Sequence, residues 1–505
     1  MQKATVNKVV ILGGGSAGWM AAALLSKLMG SYLSITLIES DAIGTVGVGE
    51  ATIPPIALFN QLVGLDEAAF LKATQGTIKL GIQFENWGQC GDSYMHAFGD
   101  LGRKLGLTDF HHFWMRAKAQ GDTSSLWDYS FNYQAAKAGK FQPIQQIKGT
   151  PLGGLTHAYH FDAGLYANML RDISERQGVK RIEGKVADTR MNPANGFIEA
   201  LVLENGQVID GDLFIDCSGF RGVLIEGALK TGFEDWRHWL PCDSALAVPC
   251  EKTGPVQPYT RSIAHDAGWQ WRIPLQHRTG NGHVYASSYI SDQAAADTLL
   301  ANLDGKPLAE PRLLRFSTGR RRLQWHRNCV SLGLASGFLE PLESTSLHLV
   351  QSGVVRLLKL FPHQGIKQAD VDEYNRQSRI EFERIRDFII LHYHLNQRTD
   401  SRFWQERRDM AIPDSLAHKM ALFKATGRVF REQDELFTEV AWHQVLIGQN
   451  FLPEDFDPMA MGLSAADLND FLSNLRTIFS QASKQLLSHD SYLAKAGAAA
   501  PEIAN

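Results

Sequence analysis

Val9-Val10-Ile11-Leu12-Gly13-Gly14-Gly15-Ser16-Ala17-Gly18 decides how this chain begins to fold. Val9 to Leu12 is a short apolar run closed by glycine, the pattern of a parallel strand buried on both faces. Ala17 to Met29 is rich in Ala, Leu and Met with few breakers, so it reads as a helix. Ser34 to Glu39 is a second apolar, β-branched strand. Together they form a βαβ unit, and Gly13, Gly15 and Gly18 set G-x-G-x-x-G at its first turn. Glycines there permit a tight turn and close backbone approach, while Ser16 and Ala17 open a helix whose N-terminus faces a pyrophosphate. Glu39 ends the second strand about 20 residues further on, where a carboxylate accepts from ribose hydroxyls. The motif predicts a dinucleotide site but does not by itself choose between FAD and NAD.

Outward from this unit, Phe197 to Leu203 and Gln207 to Ile209 flank Glu204-Asn205-Gly206, a hairpin signal because Asn-Gly tolerates positive φ. Gly211 to Asp216 and Asn328 to Leu334 are further buried-strand candidates. The first of these runs into Cys217-Ser218-Gly219, which resembles the second nucleotide-proximal element of two-domain flavoproteins. That likeness favours FAD, and with a single fingerprint the reductant must then come from elsewhere. Ser344 to Phe361, Asp370 to Asn396, Pro413 to Ala425 and Leu463 to Leu487 carry helical periodicity, so the C-terminal third reads as mostly α. The expected fold is α/β: a Rossmann-type FAD-binding module of the flavin monooxygenase-like kind over residues 1–350, with 80–150 contributing to the substrate pocket. It is merged with a mainly helical substrate-binding module over 351–505, as one integrated unit.

Composition narrows the classes. With 505 residues, 21% charged and 44% hydrophobic, the chain is of globular type rather than disordered. Its 50 Lys and Arg against 54 Asp and Glu leave a net charge of −4 with no basic cluster, so no nucleic-acid partner is expected. The 5 cysteines are scattered without a CxxC pair, which fits reduced thiols in the cytoplasm. No signal-peptide core and no long apolar run is seen, so no membrane association is expected. His157 with His160 and His392 with His394 lack a convincing third ligand, so no metal is assigned. The 11 Trp hint at flat aromatic surfaces.

Several further segments give the chain its resemblance. They are Gly47-Val48-Gly49-Glu50-Ala51-Thr52-Ile53-Pro54, Lys79 in Ile78-Lys79-Leu80-Gly81, Trp269-Gln270-Trp271-Arg272-Ile273-Pro274, and Phe338-Leu339-Glu340-Pro341-Leu342-Glu343-Ser344-Thr345. In this order, along most of the chain, they resemble the flavin-dependent tryptophan halogenase family. The resemblance implies that reduced FAD and O₂ convert halide to hypohalous acid, which travels through a tunnel to a lysine and there halogenates an aromatic carbon. Lys79 would present the halogen, and Glu343 would stabilise the arene cation and take its proton. Gly49, Glu50, Ala51, Val186 and Leu334 join the flavin set, and the amides of Thr345 and Ser346 stand where the family binds bromide or chloride. Many relatives have Gly in place of Ser346, and bromide, being more easily oxidised, is expected to be accepted at least as readily as chloride. Trp269, Trp271 and Pro274 match the wall between flavin and substrate, although alternate aromatics on a strand also simply fill cores. His96 and Phe98 match the segment that stacks on the substrate indole. A separate NAD(P)H-dependent flavin reductase is implied as partner, and the oligomeric state is open, a homodimer included.

Pro341, Glu343, Ser344 and Thr345 open an apolar helix, so Glu343 is expected at a helix N-terminus. Arg320-Arg321-Arg322 could touch flavin phosphate, but reads better as a solvated turn. One departure from the family bears on substrate. Tryptophan-specific members clamp the amino-acid end with a tyrosine pair and a glutamate, whereas Ala441 to Gln449 here holds no Tyr-Tyr and no nearby Glu beyond Glu439. An unpartnered zwitterion is costly to bury, so indole or a substituted indole is expected, with Trp442 as a further stacking face. A flavin-dependent aromatic hydroxylase and a non-catalytic flavin binder are the alternatives.

Overall fold

The computed structural model describes residues 5–42, 49–432 and 435–497. Two compact units result, each gathered from three segments: 1–75, 161–243 and 315–383 in the first, and 76–160, 244–314 and 384–505 in the second.

The first unit is built on a six-stranded sheet in the order Trp325–His326, Cys329–Ser331, Leu213–Asp216, Lys8–Leu12, Ser34–Glu39, Lys180–Glu183. Lys8–Leu12 lies between parallel neighbours, with Val9 paired to Leu213 and Ile35, which explains its apolar run. The helix Ser16–Met29 packs on Ala163–Arg176 and Ser346–Lys359 and is buried from Gly18 to Ser26. Its small side chains let those helices approach closely. The Asn205-Gly206 turn does join antiparallel strands, Ile198–Leu203 and Val208–Asp210. Asp216 ends the central strand fully buried, and its carboxylate accepts from the Ser218 amide and hydroxyl at 3.0 and 2.5 Å and from the Leu224 and Ile225 amides at 2.8 Å each. One side chain thus fixes the loop that follows the strand.

Of Arg320-Arg321-Arg322, expected as a solvated turn, only Arg322 is exposed and in a bend. Gly319–Arg321 is a strand paired with Phe233–Asp235 and Gly337–Phe338. Arg320 and Arg321 are buried, and they pair with Glu234 at 2.6 Å and Glu226 at 3.0 Å. A run of like charge looked solvated because acids about 90 residues away were invisible to local reading.

In the second unit, antiparallel Ser244–Glu251, Arg278–Tyr285, Gly268–Pro274 and Thr260–His265 succeed one another in a sheet. It continues through Gly81–Glu85, parallel to Thr260–His265, to Ser93–Ala97. Helices Asp414–Thr426, Glu439–Gly448 and Ala465–Gln485 make its later part mostly α, while Gln368–His394 runs through the boundary between the units. Among the described residues no helix is long and apolar enough to cross a membrane. We expect Asp216→Asn, which puts an NH₂ where amides must be accepted, to cost about 2–3 kcal/mol in chemical denaturation. Unchanged stability would contradict the role given to Asp216.

Candidate active site

Gly13 has φ +115°, a conformation that favours glycine, and turns the first strand toward the helix. A methyl group on Gly14 would overlap the Glu39 carboxylate, so the turn lies directly against that acid. Arg181 holds Glu39 in a short ion pair. Gly15 is the helix N-cap, and a methyl group there would meet no protein atom within 4 Å. A cavity of about 540 Å³ opens here, bounded by Gly13, Gly14, Gly15, Glu39, Val186 and the Cys217-Ser218-Gly219 loop. Sequence reading missed Arg171, Lys185 and Arg221, which also line it and bring positive charge. Diphosphate, ribose and adenine find their respective needs here: helix N-terminal amides with cations, an oriented carboxylate, and apolar wall. The residues present fit the nucleotide end of FAD.

Ser16 donates through Oγ to the Ala163 carbonyl at 3.4 Å, and Ala17 and Gly18 continue the helix. Leu334 lies in the short turn Gly333–Ala335, which abuts Ala17. Gly47 and Val48 lie outside the described residues. Gly49, Glu50 and Ala51 form a short strand, and burial pushes the Glu50 carboxyl up to about 7.

Glu343 is fully buried but does not open the long helix as expected. It closes a separate 3₁₀ turn, Pro341–Glu343, and the helix begins at Ser346. Between them Ser344 has φ +58°, so the chain kinks in a left-handed residue followed by right-handed Thr345. That alternation gathers successive amides into an anion-binding concavity. The amides of Thr345 and Ser346 are among the helix's first, for which no intrahelical acceptor exists. Thr345 Oγ1 is buried with no hydrogen-bond partner among the described residues. A halide fits this corner.

Lys79 ends the three-residue strand Thr77–Lys79 and is fully buried. Its Nζ lies 5.4 Å over the Phe98 ring. Phe98 stands 6.3 Å from His96, which in turn faces Phe388 at 5.8 Å and Phe437 at 6.2 Å. Phe388 stacks on Phe437 at 3.9 Å and meets Trp442 edge-on at 4.9 Å. The second unit therefore brings Lys79, His96, Phe98 and Trp442 into one aromatic neighbourhood. Gln444 fastens it, accepting from the Ala97 amide and donating to the Ala97 carbonyl, both at 3.0 Å. Trp269 and Trp271 share one face of their strand, with ring centroids 6.2 Å apart, and Gly282 opposite Trp271 leaves room for that indole. Phe388, Phe437 and Gln444 were not singled out in the sequence, since nothing local separates them from ordinary helix residues.

An acid near Trp442 was also missed. Glu435 is buried and pairs at 3.1 Å with Lys419, whose Nζ lies 5.4 Å over the Trp442 ring. The expectation of no nearby Glu beyond Glu439 is thus corrected: Lys419 holds one oxygen of this carboxylate, and the other is buried with no hydrogen-bond partner among the described residues. Among the described residues no group of three or more His, Cys, Asp or Glu could hold a metal ion.

The cavity over the glycine turn, with its cations and oriented acid, is that of a nucleotide-binding enzyme of the flavin-using class. The sequence pattern of the tryptophan halogenase family matches residues 8–465, and the chain belongs to that family of flavin-dependent halogenases, oxidoreductases that use reduced FAD and O₂. It is 36% identical over 448 residues to a tryptophan 6-halogenase of Streptomyces albogriseolus, covering 83% of this chain and 82% of the relative. A tryptophan 7-halogenase of Lentzea aerocolonigenes is 34% identical over 439 residues, with 83% and 82% covered. Among solved structures, a flavin-dependent halogenase from Xanthomonas campestris superposes with a TM-score of 0.95 at 50% identity, covering 99% of each chain. Another, from Brevundimonas sp. BAL3, gives 0.94 at 42% identity over 97% of this chain and 99% of that one. Halogenation, not hydroxylation, is the chemistry these relatives share.

Two outcomes follow from the nucleotide end. Gly15→Ala should fold with unchanged melting yet bind FAD at least about 10-fold more weakly, about 1.4 kcal/mol, by fluorescence titration. Unchanged affinity would mean that the open side of Gly15 is not the ligand side. The raised Glu50 makes the folded state the better proton binder, so flavin-free stability should fall as pH rises from 4.5 toward about 7. Glu50→Gln should flatten that dependence, read from melting temperature against pH.

Proposed function

We propose that this halogenase acts on indole or a substituted indole that lacks the amino-acid moiety, with Lys79 presenting the halogen and Glu343 receiving the ring proton. Reduced FAD, supplied by a separate flavin reductase, furnishes with O₂ the oxidising power that turns halide into hypohalous acid. The amides of Thr345 and Ser346 hold the halide beforehand, and bromide is taken at least as readily as chloride. Lys79 Nζ then holds the hypohalous acid by hydrogen bonding, or takes its halogen as a haloamine. The indole carbon attacks the halogen. From hypohalous acid the oxygen–halogen bond breaks and the oxygen leaves as water with a proton from the Lys79 ammonium. From the haloamine, whose water left when it formed, the nitrogen–halogen bond breaks and the nitrogen keeps the electron pair and takes up a proton. A Glu343 carboxylate oxygen stabilises the arene cation and takes the proton from the ring carbon. His96, Phe98 and Trp442 hold the flat substrate, while Trp269, Trp271 and Pro274 wall the route by which the oxidant travels.

The observation that carries this reading is the fully buried Lys79 over Phe98, within a neighbourhood of aromatic rings. Support for a substrate without a zwitterion is that Ala441 to Gln449, the stretch that carries Trp442, holds no tyrosine pair.

The test uses the full chain with FAD, a reductase, NADH, bromide and arene, plus a thioether that scavenges free hypohalous acid. Lys79→Ala should reoxidise flavin at the wild-type rate but form at least about 100-fold less bromoindole, a loss of about 2.7 kcal/mol in the halogenating step. Loss of flavin reoxidation together with product would contradict the role of Lys79. With indole and free tryptophan in competition, brominated indole should dominate, and a clear tryptophan preference would refute the substrate reading.

A further inference from the structure

Lys79 sits on a strand of three residues, too short to hold its position by ladder hydrogen bonds alone. Among the described residues its strand partner in register is Ala158 to His160, with Thr77 opposite His160 and Lys79 opposite Ala158. Two histidines supply further constraints. The amide of Ile78, next to Lys79, donates to His489 Nε2 at 3.1 Å. That nitrogen must therefore be the unprotonated one, and the proton on Nδ1 is donated to the Val256 carbonyl at 2.9 Å. On the other side, the Thr77 hydroxyl donates to the Pro274 carbonyl at 2.7 Å. With its one proton spent, Thr77 Oγ1 accepts from His160 Nδ1 at 3.0 Å, and His160 Nε2 accepts from Thr260 Oγ1 at 2.9 Å.

We propose that His489 and His160 are positioning residues that fix the backbone carrying Lys79, the first through the Ile78 amide and the second through Thr77. This rests on the reading of Lys79 as the residue that presents the halogen. Thr260, His160, Thr77 and Pro274 form one directed hydrogen-bonded chain that ties the lysine's strand to Thr260–His265 and to the end of the Trp269–Pro274 segment. His489 opens the helix His489–Lys495 and brings the far end of the sequence to the same strand. Both rings are buried to within 1% and accept hydrogen bonds that an imidazolium could not. Burial keeps them neutral, lowering His489 to about 4 and His160 well below its usual range, with the nearby Lys79 charge adding to the latter. A group that hands a halogen to one ring carbon must be placed to within a fraction of an ångström, and small displacements lower such rates severely. A loosened Lys79 would let hypohalous acid escape to solvent, which separates positioning from mere support of the fold.

The assay is the one above, reading bromoindole, oxidised thioether and flavin reoxidation together. His489→Phe keeps the ring and removes the acceptor; it should lower bromoindole per flavin oxidised about 10-fold, with a matching rise in oxidised thioether and unchanged flavin reoxidation. His489→Gln, whose amide oxygen can accept from Ile78, should recover most of the loss. Thr260→Val, which differs from wild type by a methyl for a hydroxyl, should lower the ratio about 3-fold and decides the matter if His489→Phe fails to fold. Wild-type partition between bromoindole and thioether in the folded variants would overturn the proposal, as would a parallel loss of flavin reoxidation. Lys79→Ala run alongside separates the two claims. If it still brominates indole, the reading of Lys79 falls and this proposal with it; if it does not and the histidine variants behave as wild type, only the positioning role falls.

Discussion

A lysine side chain with no solvent exposure is the constraint around which the second unit is arranged. Taking an amine out of water is costly unless its surroundings compensate, and such a position does not survive by chance packing. The Phe98 ring face lies beside Nζ, the histidine nearest its strand is kept neutral, and the strand is tied from both sides by imidazoles. A charged His160 would place a second cation beside the amine. The same surroundings that suit an ammonium, an aromatic face without competing positive charge, also suit a group that must bind and then release an electrophilic halogen.

The first unit obeys a different logic, in which most of the work is local. The turn from Gly13 to Gly15, Glu39 at the end of the next strand and the helix start at Ser16 are neighbours in sequence or one βαβ crossover apart. Asp216 and the loop it anchors complete the cavity wall from one strand further. Nucleotide recognition can be written in so short a stretch because it needs backbone amides and one oriented acid rather than many side chains.

That contrast accounts for what could be read before the fold was known. The βαβ unit, the Asn205-Gly206 hairpin and the long C-terminal helices are set by periodicity and turn chemistry, and all of them stand in the structure. Local reading failed where long-range partners or rare backbone states decide. Arg320 and Arg321 looked solvated because Glu234 and Glu226 are remote in sequence. The helix was started too early because no pattern announces a left-handed serine at Ser344. His489 passed unnoticed because its partner, Ile78, is 411 positions away. The candidate residues of the aromatic neighbourhood came from family likeness, and its fasteners, Gln444, Phe388 and the Lys419–Glu435 pair, from the fold alone.

The central claim is that Lys79 holds an oxidised halogen equivalent, and it can be tested without flavin. The protein is treated with one equivalent of hypobromous acid, free oxidant is quenched with excess thioether, and indole is then added. The account predicts bromoindole from the wild type after the quench and none from Lys79→Ala. Equal yields from the two proteins, or none from either, would contradict it.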